Sequence, residues 1–156
     1  MCIRDSTEYS LNDIIISRSG FCSLIAVNVY LNGMLIDSFS GDGVLVCTPT
    51  GSTGYNLSAG GPVIAPETQM FTITPICPHS LNKRSFVVSA QDTVTLELCQ
   101  RKEGVCEDAV VSFDGRIRNS VKVGERVDIR RAAGVTKLIK LTDMNFFDIL
   151  RSKLNK

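Results

Sequence analysis

The 156-residue chain has no tryptophan, a single histidine (His79) and no two cysteines in C-x-x-C spacing, and these absences remove several chemistries together. Cys2, Cys22, Cys47, Cys77, Cys99 and Cys106 are scattered, several of them inside apolar strand-like runs. That pattern reads as reduced, buried thiols of a cytoplasmic protein, not as a disulfide framework. One histidine and unspaced thiols also give no zinc-ligand pattern. No apolar run reaches the length of a membrane span, and the start Met1-Cys2-Ile3-Arg4-Asp5-Ser6 lacks the hydrophobic region of a signal peptide. Charge of one sign is missing too: 17 basic residues face 16 acidic ones, and no like-charge block occurs. Bulk binding to nucleic acid or to a membrane surface is therefore not expected, and an anionic ligand must be met locally.

What is present is ordinary globular composition, 44% hydrophobic and 21% charged, enough for one cored domain. Ile14, Ile15 and Ile16 read as a strand that begins beside Asn12 and Asp13. A carboxylate buried there is costly unless bonded, so Asp13 either faces a site or points to solvent. Ile25, Val27, Val29 and Leu31 alternate with polar or small residues, and Asn32-Gly33 then turns the chain into Met34 to Phe39. Both turn residues tolerate the positive φ of a type I′ turn, which predicts a hairpin. Residues 70–76, 86–89, 93–98, 109–113, 126–130 and 136–141 read as further strands. Short strands at intervals of about ten residues, separated by Gly and Asp turns, argue for a mostly antiparallel sandwich. At the tail the period changes: Asp143 can cap a helix in which Met144, Phe147, Leu150 and Leu154 form one stripe.

The chain is organised around GDGVLVCTPTGSTGYNLSAGGP, residues 41–62. An apolar strand, Val44 to Cys47, is followed at once by four hydroxyls in the six residues 48–53. Ser52 or Thr53 can cap a short helix through Tyr55, Leu57 and Ser58, whose free amides would suit a polar or anionic ligand. Gly60-Gly61-Pro62 would stop that helix. Two named motifs are excluded: a P-loop needs a lysine where Gly51 is followed by Ser52, and G-x-S-x-G fails because Gly51 adjoins Ser52. Taken alone, the stretch is either a structural strand-turn-helix or a ligand-facing rim. Cys77-Pro78-His79 also invites a thiol-base reading, but neighbours along an extended chain do not make that contact and no orienting acid is evident.

Continued to Pro66, this stretch resembles the signature of the NAD kinase family, GDG-hydrophobic-x-x-TPTGSTAY-x-x-SAGGP. ITPICPHSL (73–81), SFDGR (112–116) and Leu11-Asn12-Asp13 extend the likeness, and the order fits that family's carboxy-terminal half from Tyr9 to Leu154. The resemblance implies a mainly β, antiparallel sandwich-like domain of the NAD kinase type, with a short loop-helix after TPTGST and a carboxy-terminal helix. Residues 1–8 stay unassigned, 9–141 form the NAD-binding domain, and 142–156 are expected to pack on an amino-terminal domain.

The implied reaction transfers the γ-phosphoryl group of ATP, or of polyphosphate, to the 2′-hydroxyl on the adenosine ribose of NAD, with Mg neutralising phosphate charge. The resemblance also implies a homodimer or homotetramer. The family's proton acceptor is the aspartate of a Gly-Gly-Asp-Gly motif, which this sequence does not contain. Gly41-Asp42-Gly43 follows Ser40 and corresponds to the family's second, substrate-binding aspartate. The chain therefore reads as a substrate-binding fragment with no catalytic residue of its own.

By motif position the resemblance implies an NAD-contacting set of Asn12, Asp13, Asp42, Thr53, Gly54, Tyr55, Asn56, Leu57, Ser58 and Arg116, with Asp114 a neighbour. Carboxylates and the Asn12 amide can bond ribose hydroxyls or the adenine edge, Tyr55 can pack on a base, and Arg116 can meet a phosphate or a carbonyl. This reading requires the rim and the acids at 13 and 42 to meet in one pocket. Gly54 stands where the family usually has alanine, Asp13 where glutamate is commoner, and Ser85 where a proline generally follows arginine. The place of Ser40 varies in the family, which leaves NADH open beside NAD. Two other readings stand: a non-catalytic nucleotide-binding or assembly sandwich, and a domain of the related lipid kinases.

Overall fold

Alternation along the strands gives each one an inward and an outward face, and the computed structural model stacks two sheets on the inward ones. It describes residues 7–20, 24–80, 83–100, 109–139, 141 and 143–154. Residues 1–6, Leu81, Cys2, Cys22 and Cys106 lie outside that set. In chain order the strands are β1 (Asp13–Arg18), β2 (Ile25–Leu31), β3 (Met34–Gly41), β4 (Gly43–Cys47), β5 (Met70–Ile76), β6 (Phe86–Ser89), β7 (Val94–Cys99), β8 (Ala109–Phe113), β9 (Arg116–Val121) and β10 (Arg126–Ile129). A six-stranded sheet runs β6-β5-β4-β1-β8-β9 and a four-stranded sheet β10-β7-β2-β3. Every pairing is antiparallel. The sandwich-like architecture expected from the sequence is what forms.

Ile16, Val44, Val46, Ile73 and Val111 from one sheet meet Ile25, Val27, Val29, Phe39, Leu96 and Leu98 from the other in a single core. Each fully buried aliphatic side chain of this kind contributes about 1.5–3 kcal/mol. A second, smaller apolar strip, Ile15, Leu45, Cys47 and Ile76, lies on the outer face of the six-stranded sheet under Ala59. That explains why β4 reads as an unbroken apolar run: all five of its residues are buried, because both of its faces are covered.

The predicted hairpin is present, with Asn32 at φ 50° and Gly33 at φ 83°. The Asn32 side chain also donates to Asp92 (2.8 Å) and accepts from the Thr93 amide (2.9 Å), which clamps this turn to the one before β7.

Four expectations change. Residues 136–139 and 141 form no strand, and Leu138, Ile139 and Leu141 are exposed. Their apolar pattern supplies a face, but no described strand pairs with it. Strand β9 was not expected; its opening turn, Asp114-Gly115, has φ 47° and 75° and folds it back on β8. The tail helix α2 (Phe146–Leu154) is capped by Asn145, whose side-chain oxygen accepts the Asp148 amide at 2.9 Å, and not by Asp143. Cys77 is exposed, not buried. No helix of the described residues is long and apolar enough to cross a membrane.

Candidate functional site

Between β3 and β4 the chain crosses from one sheet to the other, and Asp42 sits at the crossing. A Cβ on Gly43 would lie 2.4 Å from the carbonyl oxygen of Ile16, so only glycine fits there. The Asp42 amide donates to Ile76 O (3.0 Å), its carbonyl accepts the Arg18 amide (3.0 Å), and its carboxylate pairs with Arg18 Nε at 2.8 Å. This acid is half-buried and already compensated.

At the other end of β4 the chain is tied to the start of β1. Thr48 donates its amide to Asn12 O (2.9 Å) and its hydroxyl to Leu11 O (2.7 Å), while the Gly51 amide donates to Thr48 Oγ1 at 3.2 Å. Gly51 presses so closely on Asn12 that a Cβ would sit 2.2 Å from its carbonyl oxygen. From the far side, the Asp114 carboxylate accepts the Ser10 hydroxyl (2.5 Å) and the amides of Leu11 (2.8 Å), Asn12 (2.7 Å) and Asp13 (3.2 Å). Burial acts to raise the Asp114 pKa, but these four donors together outweigh it and hold the carboxyl below its ordinary value. Asp114 thus braces the strand entry, and its carboxylate is already committed.

Asp13 is different. It is 8% exposed, and among the described residues its carboxylate receives no hydrogen bond. Burial, and then the charge of Asp114, push its pKa up. The neighbouring Cys47 thiol is pushed up to about 11, chiefly by burial. A cleft of about 230 Å³ opens beside Asp13, between residues 8–13, Thr48, Thr50 and residues 129–132. Arg116 belongs to this end as well: it opens β9 opposite Phe113, which pairs with Ile14, and it is exposed.

The loop between these ends forms a 3-10 turn, Thr50–Thr53, and a single helical turn, α1 (Tyr55–Ser58). Thr53, Gly54, Tyr55 and Ser58 are exposed and Leu57 is half-buried. The expected cap is not made: Gly54 holds the N-cap position, and neither Ser52 nor Thr53 bonds there. Ser52 is fully buried and uses its hydroxyl to donate to Pro49 O (2.7 Å) and to accept the Ile64 amide (3.0 Å). Asn56 is also fully buried, beneath the rim rather than on it. As expected, the glycines end the helix, Gly60 with φ 82° and Gly61 donating to Asn56 O at 2.8 Å. The Tyr55 phenol pKa is raised by burial and then by the charges of Cys77 and Asp42.

Contrary to the expectation from sequence, the two acids do not meet. Asp13 pairs with Cys47 and Asp42 bonds Arg18, so the two acids lie five residues apart along β1. At about 3.4 Å per residue that is roughly 17 Å, and they do not share one pocket in a single chain. Arg18, which neutralises Asp42, carried no sequence signal, because the antiparallel register that brings it there is not visible locally. His79 is exposed and contacts Ser40 only through its backbone amide, at 2.8 Å.

Fold and site together define a two-sheet β domain that holds a hydroxyl-bearing loop across its outer face, with a largely buried aspartate lining a cleft at one end. A model of the ATP-NAD kinase C-terminal domain matches residues 11–141, and the chain belongs to that family. It is 45% identical over 144 residues to an NAD kinase of Lachnoclostridium phytofermentans, covering 92% of this chain and 50% of that protein. An NAD kinase of Agathobacter rectalis is 42% identical over 150 residues, covering 96% and 53%. The chain thus spans about half the length of the curated relatives it matches. Among solved structures, yeast NADH kinase complexed with NADH superposes with a TM-score of 0.86 at 24% identity, over 94% of this chain and 44% of that one, a likeness of fold. An NAD kinase from Archaeoglobus fulgidus in complex with ATP gives 0.68 at 30% identity, over 80% and 46%.

Proposed function

We propose that this chain is the NAD-binding half of an NAD kinase, which phosphorylates the 2′-hydroxyl on the adenosine ribose of NAD with ATP. One observation carries the reading: Asp13, only 8% exposed, lines a cleft with a carboxylate that receives no hydrogen bond from the described residues, at the foot of an exposed loop of family sequence. Ribose hydroxyls are donors of the right kind, and a hydrogen bond to a charged acceptor contributes about 1.5–3 kcal/mol.

Asn12 beside it offers an amide to the adenine edge, and Arg116 offers its guanidinium to a phosphate or a carbonyl. Thr53, Gly54 and Ser58 line the rim with Leu57 between them, and Tyr55, 46% exposed, offers a ring face to a base. Asp42, compensated by Arg18, meets the far end of the ligand. An extended dinucleotide lying along the β1–β4 strip reaches both acids without their sharing a pocket. Asp114 and Asn56 support this surface from behind.

ATP, with a Mg ion on its phosphates, supplies the transferred group. The residues named above bind and orient the acceptor. The proton acceptor belongs to a Gly-Gly-Asp-Gly segment, which we place in the other half of the complete enzyme. That half also receives the exposed tail around α2. A cytoplasmic homodimer or homotetramer completes the proposal.

Calorimetric titration of the chain with NAD tests it. The expected result is binding that weakens at least tenfold in Asp13→Ala, the equivalent of about 1.4 kcal/mol. Equal affinity in the two proteins, or no binding by the unaltered chain, contradicts it.

A further inference from the structure

Asn56, like Ser52, is fully buried within the rim sequence, and both of its amide hydrogens and its amide oxygen are bonded. Its Nδ2 donates to Ser52 O (3.2 Å) and Pro62 O (2.9 Å), and its Oδ1 accepts the Thr74 hydroxyl at 2.7 Å. Thr74 Oγ1 also lies 3.0 Å from Ser85 Oγ. An amide oxygen carries no hydrogen, so the single Thr74 proton goes to Asn56, and the Ser85 hydroxyl must donate to Thr74. The result is a directed chain, Ser85 to Thr74 to Asn56 to the loop carbonyls, with no polar group left over. Space is reserved for it: a Cβ at Gly61 would fall 2.0 Å from Asn56 Oδ1.

The need for such a device follows from the length of α1. A helix of four residues makes too few internal hydrogen bonds to offset the cost of nucleation, so it persists only if anchored. Thr74, 1% exposed on β5, is the anchor on the sheet. Ser85 joins from a segment that is itself fixed, because the neighbouring Lys83 ion-pairs with Asp37 of β3 and lies 5.3 Å over the Phe39 ring.

We propose that Asn56 and Thr74 are positioning residues for NAD: they do not touch the ligand but hold Tyr55 and Ser58, on either side of the buried amide, in the orientation that does. This rests on the NAD-binding reading above, and Ser85, the departure from proline, becomes the terminal donor of the chain.

The test compares Thr74→Val, which keeps shape but removes the hydroxyl, with Thr74→Ser, which restores it. Backbone hydrogen exchange is followed at Leu57, Gly60 and Gly61, and NAD affinity is measured by titration. Thr74→Val is expected to speed exchange at those three amides about tenfold, leave Val27 and Val46 protected, and weaken NAD about tenfold, with Thr74→Ser close to the unaltered chain. Three outcomes overturn the proposal: unchanged exchange at the rim, equal loosening of rim and core, or a loosened rim with unchanged NAD affinity. If the unaltered chain binds no NAD, the NAD-binding reading falls, and with it the positioning role; the exchange pattern then still decides whether the anchor exists.

Discussion

The two ends of the β1–β4 strip carry one aspartate each, and the protein treats them in opposite ways. Asp42 is half-buried and paired with Arg18 at 2.8 Å, so its charge is answered within the chain. Asp13 is more deeply buried, receives no side-chain donor among the described residues, and is crowded by Asp114. Taking a carboxylate out of most of its water without giving it protein donors carries a cost, and a ligand that supplies donors relieves that cost. In the proposed function, the end that is incomplete by itself is the one that carries recognition, and the compensated one plays the lesser part.

The largest effect that separates the ends comes from Gly51→Ala. Its Cβ would meet backbone, 2.2 Å from Asn12 O, and neither strand entry nor loop can give way. Urea unfolding is expected to show a loss of about 3 kcal/mol or more. Gly41→Ala, at the Asp42 end, meets the Cys77 and Ile76 carbonyls at 2.8 Å and is expected to cost less. The reverse order would show that the Asp42 end is the tighter one.

A smaller and opposite pair of effects follows from pH. The Asp114 pKa is lowered in the folded protein, so its contribution is present above the ordinary value of 3.8 and is lost as pH falls through the depressed one. The Asp13 pKa is raised, so its favourable contribution is present below 3.8 and is lost as pH rises through the folded value. In thermal melts across pH, Asp13→Asn is expected to be more stable than the unaltered chain near neutrality. Asp114→Asn is expected to be less stable there and to lack the acid-side decline. Parallel shifts in both variants would remove the distinction between the two acids.

The smallest effect lies on the rim itself. A Cβ at Gly54 would meet only Gly51 O, at 3.3 Å, a contact that a few tenths of an ångström relieves. Gly54→Ala is expected to fold and to bind NAD slightly more tightly, since a methyl restricts the free loop before the ligand orders it. Weaker binding would mean that the loop must flex to admit its ligand.

These contrasts also show what could be read from the letters. Asn32-Gly33 announced its hairpin because the turn chemistry is local, and the apolar alternation of β2 and β7 announced the sandwich. TPTGST marked the loop, and the family set named Asn12, Asp13, Asp114 and Arg116, which only the fold brings to one end. Register is not local, so neither the separation of Asp13 from Asp42 nor the Arg18 partner was visible. Asn56 looked like a rim residue because its burial depends on Thr74, 18 residues away. Strand β9 was hidden by its charged and polar residues, while residues 136–141 looked like a strand, yet among the described residues none pairs with 136–139 or 141.

The most direct measurement is an amide chemical-shift map of the chain titrated with NAD. The account predicts the largest shifts at Asn12, Asp13 and Thr53 to Ser58, smaller ones at Asp42, and none on the outer face of the four-stranded sheet around Tyr30 and Glu97. Shifts confined to that outer face, or no shifts at saturating NAD, would contradict it.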